Sequence, residues 1–186
     1  MRAPIGDFDT ATPAPDCLDD LVGPVADAVR GWSASVPADQ ILYVETDPQW
    51  ADTAVFVEHY GRELLEQSAN CVVVAGKRGG ETTLAACLVL STTRVDVNGV
   101  VRRRLGARKA SFASMDVATG GSGMEYGGIT PIGLPGGWPL LVDAAVVELP
   151  WVLVGSGRRR GKLLVPGKVF GELAGAVVVE GLGVEG

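Results

Sequence analysis

The sequence predicts a mixed α/β domain, and three observations point there. Short apolar, β-branched runs recur along the chain at Ile41–Val44, Cys71–Ala75, Leu84–Leu90, Trp151–Val154, Lys162–Val165 and Ala176–Val179. They outnumber the stretches with helical spacing of apolar residues. The connections between them are short and rich in glycine, as in Gly76-Lys77-Arg78-Gly79-Gly80 and Gly155-Ser156-Gly157.

The elements follow in order. Residues 1–17 hold Ala, Pro, Thr and Asp with no apolar periodicity, and are expected to form a disordered tail ahead of a single domain over residues 18–186. Pro24 suits the first turn of a helix running to about Trp32, with Val25, Ala28 and Val29 on one face. A strand at 41–44 ends at Asp47-Pro48. Asp52 or Thr53 then caps a helix expected to continue to about Gln67, since either side chain accepts from free N–H groups at a helix start. Cys71–Ala75 and Leu84–Leu90 are apolar at successive positions, which predicts strands covered on both faces. Val95–Leu105 reads as a helix carrying Arg102, Arg103 and Arg104 and stopping at Gly106. A strand at 109–112 and a glycine-weakened helix at 114–123 come next. Strands at 138–143, 151–154 and 162–165 follow, then a helix opened by Pro166 and a last strand at 176–179.

Composition excludes several classes. With 47% hydrophobic and 20% charged residues in 186, the chain has the make-up of a globular protein. No apolar run approaches the roughly 20 residues of a membrane span, and no secretory signal is visible. The three cysteines, Cys17, Cys71 and Cys87, lack metal or redox spacing and read as reduced thiols of a cytoplasmic protein. His59 is the single histidine, so neither a zinc cluster nor a Cys/His pair is well supplied, and no metal or cofactor is expected. The net charge of -6 is unevenly spread. Residues 1–66 carry 13 acids and three bases, whereas residues 67–186 carry nine acids and 13 bases. A basic face on an acidic protein is compatible with an RNA end as ligand, although a mixed solvated surface is the plain alternative.

Two glycine-rich stretches carry the functional signal. Gly155 to Lys162 is not a phosphate loop, since Ser156 and Leu163 stand where the Walker pattern needs Gly and Ser or Thr. It reads as a tight turn presenting Arg158, Arg159 and Arg160. The stretch Gly127-Gly128-Ile129-Thr130-Pro131-Ile132-Gly133-Leu134-Pro135 differs from a flexible linker, because apolar side chains alternate with its small residues. Glycine and proline together make a rigid loop with exposed main-chain N–H and C=O groups. Such groups can hold an ester or a water without a charged side chain. A well-packed connection between strands would look similar.

The stretch Tyr126 to Pro135, with its GxxxP element at Gly127 to Pro131, resembles the signature loop of the YbaK / EbsC / prolyl-tRNA-synthetase-associated family. Leu105–Lys109, Leu141-Val142-Asp143 and the glycine-arginine turn after Val154 extend the resemblance from about Asp47 to about Glu180. It implies a twisted, barrel-like mixed sheet flanked by helices. It also implies aminoacyl-tRNA deacylase activity, clearing mischarged tRNA in trans for translation fidelity, with the tRNA acceptor end and an aminoacyl-tRNA synthetase as partners. On this resemblance Gly127 and Asn70 serve catalysis. Gly128, Ile129, Thr130, Pro131, Gly155, Ser156 and Gly157 bind the substrate, and Arg158, Arg159 and Arg160 meet RNA phosphates. The family places a lysine at the start of the first central strand, where this chain has Asn70. Asparagine donates and accepts hydrogen bonds but carries no charge. A non-catalytic module that keeps the fold and binds an RNA end, an aminoacyl group or a synthetase is therefore the second reading.

Overall fold

The computed structural model describes residues 1–186. In chain order its regular elements are β1 (Ala11–Pro13), α1 (Gly23–Arg30), β2 (Leu42–Val44), α2 (Thr53–Tyr60), α3 (Leu64–Gln67), β3 (Ala69–Arg78), β4 (Glu81–Leu90), β5 (Thr93–Val95), α4 (Arg102–Arg104), β6 (Lys109–Phe112), α5 (Met115–Ser122), β7 (Leu140–Asp143), α6 (Ala144–Val147), β8 (Val152–Gly155), β9 (Lys162–Val165), β10 (Ala176–Val179) and β11 (Gly183–Glu185). The fold is mixed α/β, built on more than one sheet. An antiparallel sheet has the order β1-β2-β9-β8, and a mixed sheet has the order β10-β7-β4-β3-β6. The two meet where Ser68, just before β3, bridges Leu153 of β8. A ribbon of β5 and β11 completes the strands.

The β3–β4 hairpin is the spine. Ten residue pairs run from Ala69↔Leu90 to Arg78↔Glu81. The turn is only Gly79-Gly80, both at positive φ (57° and 82°), the backbone that a two-residue hairpin turn requires. The strands therefore extend through Lys77 and Arg78, which the sequence assigned to a longer loop. Both faces of this sheet are covered, as its unbroken apolar runs predicted. One face joins a core that includes Leu88, Leu140, Val154, Leu163 and Phe170. The other packs Val74, Cys87, Val89 and Leu141 under Val101 and Leu182.

Helix starts follow their caps. Asp52 accepts from Ala54 N–H and Ser114 from Val117 N–H. The helix from Thr53 does not run on to Gln67. Gly61, at φ 119°, breaks it, and a separate turn begins at Leu64. The expected helix over 95–105 is a strand end, a π-helical turn at Val97–Val101 and the short α4. Asp96 accepts from both Gly99 and Val100 N–H, which seeds the wider turn. After Pro166 the chain forms a 3-10 helix over Gly167–Gly171. No helix is long and apolar enough to cross a membrane.

Residues 1–17 correct the sequence expectation: they are not a loose tail. β1 pairs with β2, and the N–H of Ala14 donates to Ile41 C=O at 2.7 Å. Phe8 stacks on Tyr60 with ring centroids 5.0 Å apart and shares a core with Phe56, Leu42 and Leu164. Ala3 and Ala11 are buried with it, and Ala14 is buried in the main core. Alanine and a single phenylalanine at irregular spacing carry no period, so this burial is invisible to a pattern search. Deleting residues 1–13 is expected to lower Tm by about 5–10 °C, because a buried phenylalanine alone is worth about 3 kcal/mol. A thermal melt with an unchanged midpoint would show that the segment adds nothing to the domain.

Candidate functional site

β6 pairs only with the second half of β3, from Val74↔Phe112 to Lys77↔Lys109. The first half of that β3 edge has β8 at its start, bridged at Ser68, and is otherwise open. A cavity of about 600 Å³ lies in this gap, within the range of small-molecule sites. Its walls are Ser68, residues 69–73 of β3, Leu153 to Gly155 of β8, Lys162 of β9, Gly127 and Ile129 of the glycine loop, and Phe112, Ala113, Met115, Ala118 and Tyr126. Val73 C=O accepts from Ala113 N–H at 2.9 Å, so odd-numbered residues of β3 face this edge. Strand alternation then turns the Cys71 N–H and C=O toward the cavity. The walls are otherwise mostly apolar, with Asn70 and Lys162 as the long polar side chains.

Lys162 is the one charged residue in the lining. It sits opposite Gly155 in the β8–β9 ladder, with its ammonium 6.0 Å from the centre of the Phe56 ring. Only two ion pairs form in the protein, Arg30–Asp27 and Arg160–Glu45, so the amine has no carboxylate partner. Burial lowers its pKa, and the charge of Arg159 lowers it further. Sequence reasoning missed this residue. The available signal was a lone cation heading the apolar strand Leu163-Leu164-Val165. Cys71 also lines the cavity, but burial raises its pKa and keeps the thiol protonated, which makes it a poor nucleophile.

The mouth of the cavity is apolar and exposed. Phe112, Tyr126 and Met115 retain 59%, 57% and 52% of their surface open to solvent. Three large side chains left in water around one cavity form a patch suited to a planar partner.

Of the expected site residues, the structure brings Asn70, Gly127, Ile129 and Gly155 to the cavity. Gly128, Thr130, Pro131, Ser156 and Gly157 do not line it. They lie behind its wall, where the two glycine loops pack backbone against backbone. Gly157 N–H donates to Gly128 C=O at 2.7 Å, and Glu125 N–H donates to Gly157 C=O at 2.9 Å. A Cβ on Gly128 would stand 2.3 Å from the Arg158 carbonyl oxygen, and one on Gly155 would stand 2.5 Å from the Gly128 carbonyl oxygen. Ser156 is fully buried, its hydroxyl 2.9 Å from Arg160 C=O and 3.1 Å from Arg158 C=O. Thr130 is buried too, with its hydroxyl unpaired.

The arginines are only partly free. Arg160 is ion-paired with Glu45, and the Arg158 guanidinium donates to Leu21 C=O at 3.3 Å. Arg159 is exposed, and its main-chain N–H donates to the Glu125 carboxylate at 3.0 Å. His59 stacks on Trp50 at 3.7 Å between ring centroids, outside the cavity lining.

Residues 47–170 match the family model of the aminoacyl-tRNA editing domain. Solved structures share the fold. A crystal structure of a candidate trans-editing enzyme for prolyl tRNA synthetase is similar with TM-score 0.70 and 20% identity, over 88% of this chain and 96% of that one. A scaffold protein used for epitope backbone grafting is similar with TM-score 0.71 and 20% identity, over 89% and 97% of the two chains. A third structure, of a hypothetical protein, is similar with TM-score 0.64 and 18% identity, over 77% and 91%.

The loop contact makes a direct prediction. Gly128→Ala is expected to destabilise the protein by about 1–3 kcal/mol, the usual cost of forcing atoms into packed space. Gly136→Ala, with nothing within 4 Å of the added carbon, serves as the control. Equal urea midpoints for the two variants would mean that the loops separate at no cost.

Proposed function

The chain belongs to the aminoacyl-tRNA editing domain family, and we propose that it is an aminoacyl-tRNA deacylase acting in trans on mischarged tRNA. One observation carries the reading: the open edge of β3, the Gly127–Ile129 loop, Asn70 and the half-buried Lys162 converge on one cavity of aminoacyl size. The aminoacyl group occupies the apolar interior. The terminal adenosine stacks at the mouth on Tyr126 and Phe112, since every base offers a flat face to an aromatic ring.

Hydrolysis adds one water to the ester carbonyl, breaks the bond to the ribose oxygen, and returns the water's proton to that oxygen. Negative charge grows on the carbonyl oxygen in between. Donors already in place stabilise it without reorganising, and more strongly where water is excluded. Lys162 supplies a cation there, and the Cys71 N–H supplies a neutral donor. Asn70 orients the ester or the ribose through neutral hydrogen bonds. Lys162 thus stands in for the charge that the family places at the position of Asn70, delivered from β9 instead of β3.

Single-turnover deacylation of a panel of mischarged tRNAs, corrected for spontaneous ester hydrolysis, tests this. The wild type is expected to hydrolyse at least one member. Lys162→Met is expected to slow it about a hundredfold, the usual cost of losing one such donor. Asn70→Ala is expected to cost about fivefold, near 1 kcal/mol. Gly127→Val is expected to slow the reaction because valine resists the φ of 79° found there. A Lys162→Met rate equal to wild type removes that residue from the mechanism. Silence from the wild type with activity in Asn70→Lys favours a module that binds an RNA end, an aminoacyl group or a synthetase without catalysis.

The pH dependence has a definite sign. Lys162 holds its proton less tightly than an ordinary lysine, whose pKa is about 10.4. The catalysed rate is therefore expected to fall as pH rises through a value below 10.4. For stability the same shift is a cost, present while the folded protein carries the charge. It shrinks as pH rises through the lowered folded pKa and is gone above the unfolded value. Lys162→Met is thus expected to keep or raise Tm at neutral pH. A rate that stays flat up to the ordinary lysine range would mean that the charge of Lys162 is not used.

A further inference from the structure

One surface is far more basic than the rest of the protein and is not used by the cavity. Residues 77–109 contain eight of the 16 lysines and arginines and only two acids, Glu81 and Asp96. The structure gathers four of these bases at the free end of the β3–β4 hairpin. Lys77, Arg78, Arg108 and Lys109 are exposed around a shallow concavity of about 370 Å³. Arg102, Arg103 and Arg104 are also exposed, on α4, just before β6 in the chain. None of the seven makes an ion pair. Arg78 and Arg102 donate to the carbonyls of Gly106 and Asn98, which fixes their guanidinium groups without an ion pair; Glu81, opposite Arg78 in the ladder, is the one acid lining the concavity.

Lys77 faces Lys109 directly across the β3–β6 ladder. Like charges in that position destabilise a sheet. The chain keeps an unfavourable pair at an exposed site where a neutral residue would serve the fold better. An anionic partner accounts for it.

The direction of β6 supplies the second observation. Phe112, at one end, forms part of the cavity mouth, and Lys109, at the other, joins the basic surface; strand alternation turns Lys109 and Lys77 to the face opposite Phe112, whereas Arg78 shares the Phe112 face. Three residue steps of strand set them about 10 Å apart. A polyanion whose end enters the cavity therefore meets the basic surface as it leaves. The turn at Arg158–Arg160 offers less, since Arg160 is already paired with Glu45.

We propose that the exposed basic end of β3 and β6, with α4 beside it, is the docking surface for the phosphate backbone of the tRNA acceptor stem. This rests on the deacylase reading for the choice of RNA. The surface contacts phosphates and reads no bases, so it accepts acceptor stems of different sequence. The identity of the edited amino acid is left to the cavity.

The test compares wild type with a variant carrying Lys77→Gln, Arg78→Gln, Arg108→Gln and Lys109→Gln. Fluorescence anisotropy measures binding of uncharged tRNA and of an acceptor-stem minihelix from low to physiological salt. The control variant carries Arg2→Gln and Arg30→Gln, which remove charge elsewhere. The four-site variant is expected to lose at least tenfold in affinity for both RNAs. Its log Kd against log salt slope is expected to shrink by about 2 or more, near 0.9 per lost phosphate contact. The control is expected to bind as wild type. Tm of the four-site variant is expected to stay level or rise, because the Lys77–Lys109 repulsion is gone. Hydrolysis of a 2′(3′)-O-aminoacyl adenosine, which has no stem, is expected to be unchanged.

Equal RNA affinity and equal salt slope in variant and wild type would overturn the proposal and leave Lys109 as a charge that protects a sheet edge from pairing. Equal loss on the stemless substrate would also overturn it, by placing the effect in the cavity. Binding is read without catalysis. A wild type that binds RNA through this surface but hydrolyses nothing would therefore sink the deacylase reading and leave the surface standing.

Discussion

The contact between two loop backbones governs the site. Residues 127–131 and 155–160 approach so closely that main-chain atoms touch without side chains between them. Gly128 and Gly155 make this possible, since a Cβ on either would collide with a carbonyl oxygen of the other loop. The hydrogen bond from Gly157 N–H to Gly128 C=O locks the pair together. Because β8 ends in one of these loops, the lock sets how far β8 stands from the open edge of β3. The cavity is the space left between them. A buried wall of backbone is rigid, and a rigid wall can hold a small polar group in one orientation.

That wall also explains why the cavity can work with so few polar side chains. An unpaired stretch of strand presents N–H and C=O groups at fixed spacing, and these need no side-chain entropy to hold in place. Lys162 then concentrates the charge in an apolar setting, where one cation acts more strongly than in water. Its amine is held there at some cost, seen in the lowered pKa. A lysine can enter such a cavity from any strand that borders it. Asn70 on β3 and Lys162 on β9 both border this one, so the same charge can be supplied by either position.

The charge of the protein is divided along structural lines. Acids dominate the first 66 residues, and several of them, including Asp7, Glu45 and Asp47, gather around Arg160, Trp50 and His59. Seven bases without an ion-pair partner lie at the hairpin end and on α4. A charge distribution of this kind repels a polyanion from the acidic surfaces and attracts it to the basic one, so an anionic partner would be oriented before any contact forms.

The sequence by itself determined much of this protein. The mixed α/β class, the strands at 41–44, 109–112, 162–165 and 176–179, the cap at Asp52 and the identity of the glycine loop all follow from local chemistry. Runs of Val and Leu, capping side chains and Gly/Pro spacing act over a few residues, so they are legible in order along the chain. The family resemblance likewise rests on a contiguous stretch. Only the tertiary structure decided the rest. It built residues 1–17 into the fold, because their buried alanines and Phe8 gain value only against Tyr60 and Phe56. It moved Gly128, Thr130, Pro131, Ser156 and Gly157 behind the cavity wall, since which backbone atoms face a space depends on what packs on the other side. It brought Lys162 beside Asn70, 92 positions away in numbering, through the Ser68–Leu153 bridge and the β8–β9 ladder. Pairings of that range are set by the assembly of the sheets, and no local pattern in the chain encodes them.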